Sequence, residues 1–276
     1  MTVKMFVVTH KKADIASLPG YIPILVGADL HPEIDNYDVK DNSGVNISSK
    51  NPNYCELTGI YWIWKNETSE IVGISHYRRF FTKNRLSSKS QYFFSTKDIE
   101  KILQKKRIIV PEPRHSSTSI LQAINRAPNM NDVKEMYEAI RIIEPSYVDD
   151  YIWYLNQNKA HLYNMAIMKW TDYCNYCNWL FQILGYIEEH HDMDAETDTY
   201  RKRLFGFLSE RLITVWIHHN IPNNEIAEIP VVNTEEDNAA RLRHIVGDLK
   251  RNLEYIMTLK TKKSAEKQEK LMKTIF

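Results

Sequence analysis

The chain has 276 residues, of which 43% are hydrophobic and 11% are aromatic, so it is long enough to bury one substantial core. Its formal net charge of +1 argues against a dedicated nucleic-acid binder, and we expect no nucleic-acid partner. No run of about 18 apolar residues marks a transmembrane helix, and a chain that begins directly with a strand predicts no signal peptide and a cytoplasmic location.

Apolar runs alternate with helix-like segments along most of the chain, which predicts an α/β fold with a mixed or parallel sheet and helices on its faces. The predicted strands cover residues 4–10, 21–28, 70–75, 107–111 and 161–168. The predicted helices cover residues 54–64, 95–106, 130–156, 170–187 and 199–219, with a charged helical tail after Asn238. A stretch rich in Gly, Asn, Asp and Ser between Ala28 and Pro52 predicts an irregular loop, which is too long for a plain connector and therefore functional.

The sequence GISHYRRFF at residues 73–81 places charged and hydrogen-bonding side chains directly after a short apolar strand. Strand ends are where α/β proteins carry their chemistry. The adjacent guanidinium groups of Arg78 and Arg79 have no obvious carboxylate nearby in the sequence, and His76 and Tyr77 add further donors. Such an array suits a phosphate or a diphosphate, and the alternative is a solvated strand end.

Further polar residues follow the first predicted strand and occupy the long loop. His10 and Lys11 stand at the end of that strand, where they are candidates to contact a uracil, a ribose or a phosphate. Asp41 and Asn42 in the loop, with Glu56 on the following helix, are candidates to line a nucleotide pocket. The alternatives are polar capping of a strand and a turn beside a surface carboxylate.

Two carboxylates are candidates for acid–base chemistry. Glu112 lies between two prolines at the end of a predicted strand, which restricts its backbone, and the alternative is a simple turn. Glu210 and Arg211 interrupt an otherwise apolar helix, where a charge is costly unless it is paired or used. The alternative for these two residues is a buried ion pair with no catalytic role.

Two motifs resemble metal sites only in their spacing. Cys174 and Cys177 have the spacing of zinc ligands, but no second cysteine pair follows, so we predict that they pack within a helix. Asp192 and Asp194 form the DxD pattern with which many sugar-nucleotide enzymes hold a divalent metal, but they lie in a polar acidic loop and not at a strand end. We therefore predict no metal ligands.

Several distinctive segments occur together in this chain, namely KMFVVTHK, DNSGVNISSKNPNYCELTGIYWIWKN, VGISHYRRFF, IIVPEP, NMAIMKW and GFLSERL. Their combination resembles DUF4422, a family of bacterial capsular and exopolysaccharide glycosyltransferases, over residues 4–220. The resemblance implies a GT-A-like fold with a Rossmann-type nucleotide-binding sheet, helices on both faces and a helical C-terminal region. We therefore expect a GT-A-like glycosyltransferase domain over residues 1–235, and the charged, helical pattern of the tail predicts a lysine-rich helical extension over residues 236–276.

The activity that the resemblance implies is sugar transfer from a UDP-sugar, with UDP-galactofuranose as the best match, to a glycan acceptor with inversion at the anomeric carbon. In GT-A enzymes the metal-binding DxD follows a strand like the one that carries Arg78 and Arg79 here. We therefore expect these arginines to neutralise the departing diphosphate, and we expect no cofactor and no required metal. Glu210 is the first candidate for the catalytic base, and Glu112 is the second.

Other site residues are also assigned through the resemblance. Asn164 and Arg211 are expected to bind the donor or acceptor sugar, and Arg203 is expected to add to the positive field around the phosphates. The acceptor in capsule, exopolysaccharide or O-antigen synthesis is a growing glycan on a lipid carrier. The lysine-rich tail, residues 260–273, fits peripheral attraction to anionic headgroups at the inner membrane face, and the alternatives are a soluble terminal helix or a dimer contact.

Two other functions remain open from the sequence. The first is a non-catalytic module that binds sugar nucleotides or polysaccharide, in which the aromatic side chains of residues 147–154 form a stacking platform. The second is a metal-dependent glycosyltransferase that uses Asp192 and Asp194.

Overall fold

The computed structural model describes residues 2–125, 130–190, 201–259 and 262–275. The strands in these ranges are β1 (Val3–Thr9), β2 (Tyr21–Leu25), β3 (Val39–Lys40), β4 (Ile71–His76), β5 (Arg79–Phe81), β6 (Ile108–Pro111), β7 (Arg114–His115), β8 (Lys159–Ala160), β9 (Ile167–Lys169), β10 (Ile226–Ile229) and β11 (Val231–Asn233). The α-helices are α1 (Asn51–Tyr54), α2 (Leu57–Asn66), α3 (Thr96–Leu103), α4 (Ile120–Ile124), α5 (Met130–Ile143), α6 (Val148–Asn156), α7 (Trp170–His190), α8 (Leu204–Asn220), α9 (Asn238–Leu259) and α10 (Lys262–Ile275).

The main sheet has the strand order β10-β6-β9-β4-β1-β2-β3 and is mostly parallel. Strand β9 runs antiparallel between β4 and β6, and β5 pairs antiparallel with both β4 and β11. The segment VKMFVVT of β1 is almost continuously apolar because both faces of this central strand are covered. The predicted α/β class with a largely parallel sheet is confirmed.

Helices cover both faces of the sheet. Phe6 and Val8 of β1 face a large core that includes α2 and α5 to α8, whereas Met5 and Val7 face a smaller core that includes α3. This alternation follows from the two-residue period of a strand. A capping box starts α3, since Ser95 accepts a hydrogen bond from the backbone N–H of Asp98 at 3.2 Å.

The helix predicted over residues 54–64 is wrong in one respect, because the chain breaks between α1 and α2. The break lies at Cys55, whose φ of 52° belongs to the left-handed region that a non-glycine residue seldom adopts. The side-chain amide of Asn51 supports this turn by donating a hydrogen bond to the carbonyl of Cys55 at 2.7 Å. The break directs Cys55 and Glu56 into the main cavity of the protein.

The strand predicted over residues 161–168 is mostly wrong, since β9 begins only at Ile167. Tyr163 and Asn164 have φ values of 76° and 50°, so the chain turns where an extended strand was expected. Only the last part of the apolar segment pairs with the sheet, and the turn before it contributes to the candidate site.

The loop between Ala28 and Pro52 is more ordered than predicted, because it contains β3 and is organised by one buried carboxylate. Asp41 is fully buried and accepts hydrogen bonds from the backbone N–H groups of Gly27 and Ala28 at 2.9 and 3.0 Å. The hydroxyl of Ser48 donates to the same carboxylate at 2.5 Å. Asp41 is therefore occupied in holding the loop, whereas its neighbour Asn42 is exposed.

The C-terminal tail is helical, as predicted. Asp248 of α9 accepts a hydrogen bond from the backbone N–H of His115 at 2.8 Å, which ties α9 to β7. Helix α10 packs against the large core through Leu271, Met272 and Ile275. In the part of the chain that is described, no helix is both long and apolar enough to cross a membrane.

We expect Asp41→Ala to lower the free energy of unfolding by about 3 kcal/mol, because it leaves several buried donors without an acceptor. Urea denaturation followed by circular dichroism measures this change. Asn42→Ala is the matched control, and its effect should stay within about 0.5 kcal/mol because the side chain is exposed. Equal stability of the two variants would contradict the structural role of Asp41.

Candidate active site

A cavity of about 590 Å³ lies where the carboxyl ends of β1 and β4 meet. The parallel register pairs Val8 with His76, so the residues that follow both strands reach the same edge of the sheet. Volumes of this order are typical of small-molecule sites. The residues predicted from the sequence that line this cavity are His10, Glu56, His76, Tyr77, Arg78, Arg79, Arg203 and Glu210.

Three arginines, Arg78, Arg79 and Arg203, line the cavity and bring positive charge to it. A guanidinium nitrogen of Arg78 lies 3.0 Å from a carboxylate oxygen of Glu235, in a half-exposed ion pair. The guanidinium carbon of Arg79 lies 4.5 Å from the ring centroid of Tyr163, and within the described ranges no carboxylate oxygen lies within 4.0 Å of its nitrogens. The Nε of Arg203 donates to the sulfur of Cys55 at 3.3 Å. Arg79 in particular therefore has charge available for an anionic ligand.

Two carboxylates oppose these arginines. Burial, together with the nearby carboxylate of Glu56, raises the pKa of Glu210 to about 7. Glu210 accepts a hydrogen bond from the backbone N–H of Tyr163 at 3.0 Å, and Asn164 donates to Glu56 at 2.7 Å. A carboxyl group with this pKa exchanges its proton near neutral pH, as a general base requires.

Two of the three histidines that line the cavity, His10 and His76, have a pKa below the usual value for histidine, which favours the neutral imidazole. Burial lowers the pKa of His76, and burial followed by the charge of Lys11 lowers the pKa of His10. The Nε2 of His76 lies 2.6 Å from the carbonyl oxygen of Tyr163, which can only accept, so Nε2 carries the proton. The Nδ1 of His76 is consequently an acceptor.

A second cavity of about 290 Å³ adjoins the first and shares Arg79 and Tyr163 with it. Glu112, the alternative candidate for the base, lines this second cavity and forms an ion pair with Arg85. Burial raises the pKa of Glu112. The structure thus separates the two candidate bases, with Glu210 beside the arginine cluster and Glu112 in the adjacent cavity.

Five other predicted residues line neither cavity, namely Lys11, Asp41, Asn42, Asn164 and Arg211. The ammonium of Lys11 lies at the rim, 4.9 Å from the ring centroid of Tyr77. Asn164 is buried and donates a hydrogen bond to Glu56. It therefore contacts a residue that lines the cavity but does not line the cavity itself.

Arg211, the neighbour of Glu210 in sequence, lies near a different set of residues. Burial raises the pKa of Tyr151 and Tyr154, and the charge of Arg211 opposes this shift, which places the guanidinium beside these phenols. The alternative interpretation, a buried ion pair of Glu210 with Arg211, is not found among the described residues, and the Nη1 of Arg211 has no hydrogen-bond partner there.

Sequence analysis missed His31, Asn51, Cys55 and Tyr163, which also line the main cavity. Cys55 was assigned to a continuous helix and Tyr163 to a strand, and both adopt positive φ values that their residue types do not signal. His31 belongs to the long loop that was predicted to be functional, and this is the one signal that points to it.

The aromatic residues 147–154, which an alternative function would use as a stacking platform, are mostly buried. Tyr147, Tyr151 and Tyr154 are buried in the large core, and the ring of Trp153 is covered by His218 at a centroid distance of 3.5 Å. Of these four rings, only that of Trp153 is partly exposed, and one of its faces is covered.

Candidate metal ligands are the acidic, histidine and cysteine side chains of the chain. Among the described residues, no three His, Cys, Asp or Glu side chains cluster as metal ligands do. Asp192 and Asp194 lie outside the described residues. Cys174 and Cys177 are free thiols on α7, as predicted for helix packing.

Comparison with known proteins agrees with this architecture. The family described as a domain of unknown function, DUF4422, matches residues 4–221. No curated protein matches the chain in sequence. A solved structure of the bifunctional glycosyltransferase WbbM in its apo form is similar in fold, with a TM-score of 0.73 and 23% identity over 86% of this chain and 46% of that chain. This chain therefore corresponds to less than half of WbbM. Because the family match extends over most of the sequence, the protein belongs to the DUF4422 family.

Proposed function

We propose that this protein is a glycosyltransferase that moves a sugar from a nucleotide-sugar donor to a glycan acceptor. The observation that carries the proposal is the placement of Glu210, with a pKa of about 7, in one cavity with Arg78, Arg79 and Arg203. This combination supplies a base for an acceptor hydroxyl and cations for a departing diphosphate. The similar fold of WbbM, a bifunctional glycosyltransferase, supports it.

The arginine side of the cavity is assigned to the donor diphosphate. Arg79 would contact the diphosphate directly, and Arg78 would exchange its exposed partner Glu235 for the phosphate oxygens. These cations act where negative charge develops as the bond between the anomeric carbon and the diphosphate breaks, which is the task of a divalent metal in a DxD enzyme. The proposal therefore includes catalysis without a metal.

The carboxylate side of the cavity is assigned to acid–base chemistry. Glu210 takes the proton of the acceptor hydroxyl, whose oxygen attacks the anomeric carbon while the electrons of the breaking bond pass to the diphosphate. A direct displacement of this kind inverts the anomeric configuration. The second cavity is assigned to the acceptor, because it meets the first beside Arg79 and Tyr163.

The finer details of the proposal rest on the family resemblance. They are UDP-galactofuranose as the donor, and capsule, exopolysaccharide or O-antigen synthesis as the setting. The contacts in the cavity support a nucleoside diphosphate, whereas the ring form of the sugar depends on hydroxyl contacts that the arginines do not determine.

Calorimetric titration of UDP in EDTA should show binding that Arg79→Ala weakens by about 10- to 100-fold, because a charge-assisted contact to phosphate is lost. Arg85→Ala is the matched control, since Arg85 lies in the second cavity and should leave UDP affinity unchanged. Binding that appears only with Mn²⁺ and is insensitive to Arg79→Ala would overturn the assignment of the arginines to the diphosphate.

Glu210→Gln should reduce the rate of UDP release from UDP-galactofuranose by about 10²- to 10⁴-fold, because the amide cannot accept a proton. UDP affinity should be retained, since the arginines are unchanged. Glu112→Gln provides the comparison. A larger loss with Glu112→Gln than with Glu210→Gln would move the base to the second cavity.

The carboxyl carbon of Glu210, observed by ¹³C NMR, should titrate near pH 7 in the unmodified protein. Glu56→Gln should shift this midpoint to lower pH, because removal of a neighbouring negative charge favours ionised Glu210. The acid limb of the pH–rate profile should move in the same direction. An unchanged midpoint in Glu56→Gln would show that the two carboxylates do not interact.

A further inference from the structure

Helix α9 displays a row of large apolar side chains to solvent. The first five of these side chains are separated by three or four residues and the sixth follows directly, so all six lie on one face of the helix. Their exposed fractions range from 47% to 70%, for Leu242, Val246, Leu249, Leu253, Ile256 and Met257. We call these six residues the apolar stripe. A contiguous exposed row of this kind marks an interaction surface more often than isolated exposed leucines do.

The other side of α9 is fixed to the body of the protein, so the apolar stripe cannot turn inward. Asp248 accepts a hydrogen bond from the backbone of His115, and the hydroxyl of Tyr255 donates to the carbonyl of Asn156 at 3.1 Å. These contacts lie at two heights along the helix. The orientation of the stripe toward solvent is therefore built into the fold.

The charge balance of the chain changes at the start of α9, from net acidic before it to net basic after it. Residues 238–276 contain ten Lys and Arg against four Asp and Glu, whereas residues 1–237 contain 26 against 31. Among the basic residues that the structure describes, Arg243 and Lys250 are exposed beside the apolar stripe, and Lys267 and Lys270 are exposed on α10. An apolar face bordered by basic side chains is the pattern of helices that lie in the interface of anionic membranes.

We propose that the apolar stripe binds an anionic lipid surface. The six apolar side chains enter the boundary between headgroups and acyl chains, and the basic residues of α9 and α10 contact the lipid phosphates. The partner is a lipid surface and not a second copy of α9, because a second copy would bring the same basic residues to the same seam, whereas anionic lipids complement them.

The location of the stripe relates it to the second cavity. Leu249 belongs to the apolar stripe and also lines the second cavity, so the cavity would open beside the lipid surface. An acceptor glycan carried on a membrane lipid would then enter this cavity from the membrane. This consequence rests on the proposed glycosyltransferase function, whereas lipid binding itself does not.

Sedimentation with vesicles tests the proposal on the full chain. The protein should sediment with vesicles that contain phosphatidylglycerol and phosphatidylethanolamine, and it should bind vesicles of phosphatidylcholine at least about tenfold more weakly. The double substitution Leu249→Glu and Leu253→Glu should abolish sedimentation with the anionic vesicles. Val45→Glu with Ile142→Glu is the matched control, because both residues are exposed far from α9 in sequence at 57% and 48% and should leave binding unchanged.

Three results would overturn the proposal. They are equal sedimentation of the stripe variant and the control variant, no sedimentation of the unmodified protein with anionic vesicles, and a dimer in light scattering that the stripe variant converts to a monomer. The last result would assign the stripe to a second copy of the chain. Circular dichroism verifies that each variant is folded. Vesicle binding needs no nucleotide and UDP calorimetry needs no lipid, so failure of this proposal and failure of the proposed function are distinguishable.

Discussion

The site depends on the parallel pairing of β1 with β4. These central strands are covered by helices on both faces, and a slip of one residue would exchange the side chains of the two cores. Hydrophobic burial therefore fixes the register that pairs Val8 with His76. The polar residues after each strand are brought to one edge as a consequence, and the ring centroids of His10 and Tyr77 lie 5.9 Å apart there. The polar side chains of the cavity are thus positioned by the burial of apolar residues in the two cores.

A balance of like and unlike charges determines the acid–base properties of the cavity. Burial and the carboxylate of Glu56 raise the pKa of Glu210, while the hydrogen bond from Tyr163 and the charge of Arg79 lower it. Arg79 therefore acts on two parts of the site, since its charge is available to an anion and also favours ionised Glu210. An anion bound to Arg79 would offset that charge and raise the proton affinity of Glu210. Anion binding and proton uptake are coupled by this one side chain.

Much of the fold and part of the site follow from the sequence because they depend on local patterns. Apolar runs identify β1 and β4, and the helical run that Glu210 interrupts identifies α8 together with its buried acid. Cys55 and Tyr163 could not be found in this way, because neither is a glycine and so nothing in the sequence signals their positive φ values. The hydrogen bonds of Asp41 could not be predicted for a related reason. An acidic residue in a polar loop looks the same in sequence whether it meets a ligand or, as here, two backbone amides of the same loop.

The turn at Tyr163 connects the two cavities with the titratable groups of the first. Its carbonyl accepts a hydrogen bond from His76, and its backbone N–H donates one to Glu210. The residue also lines both cavities. A displacement of this residue by an occupant of either cavity would alter the hydrogen bonds of both titratable groups together. The backbone of Tyr163 has a φ of 76°, and neighbouring contacts must maintain this sparsely populated conformation. One residue with a sparsely populated backbone conformation therefore joins the two cavities and both titratable groups of the first.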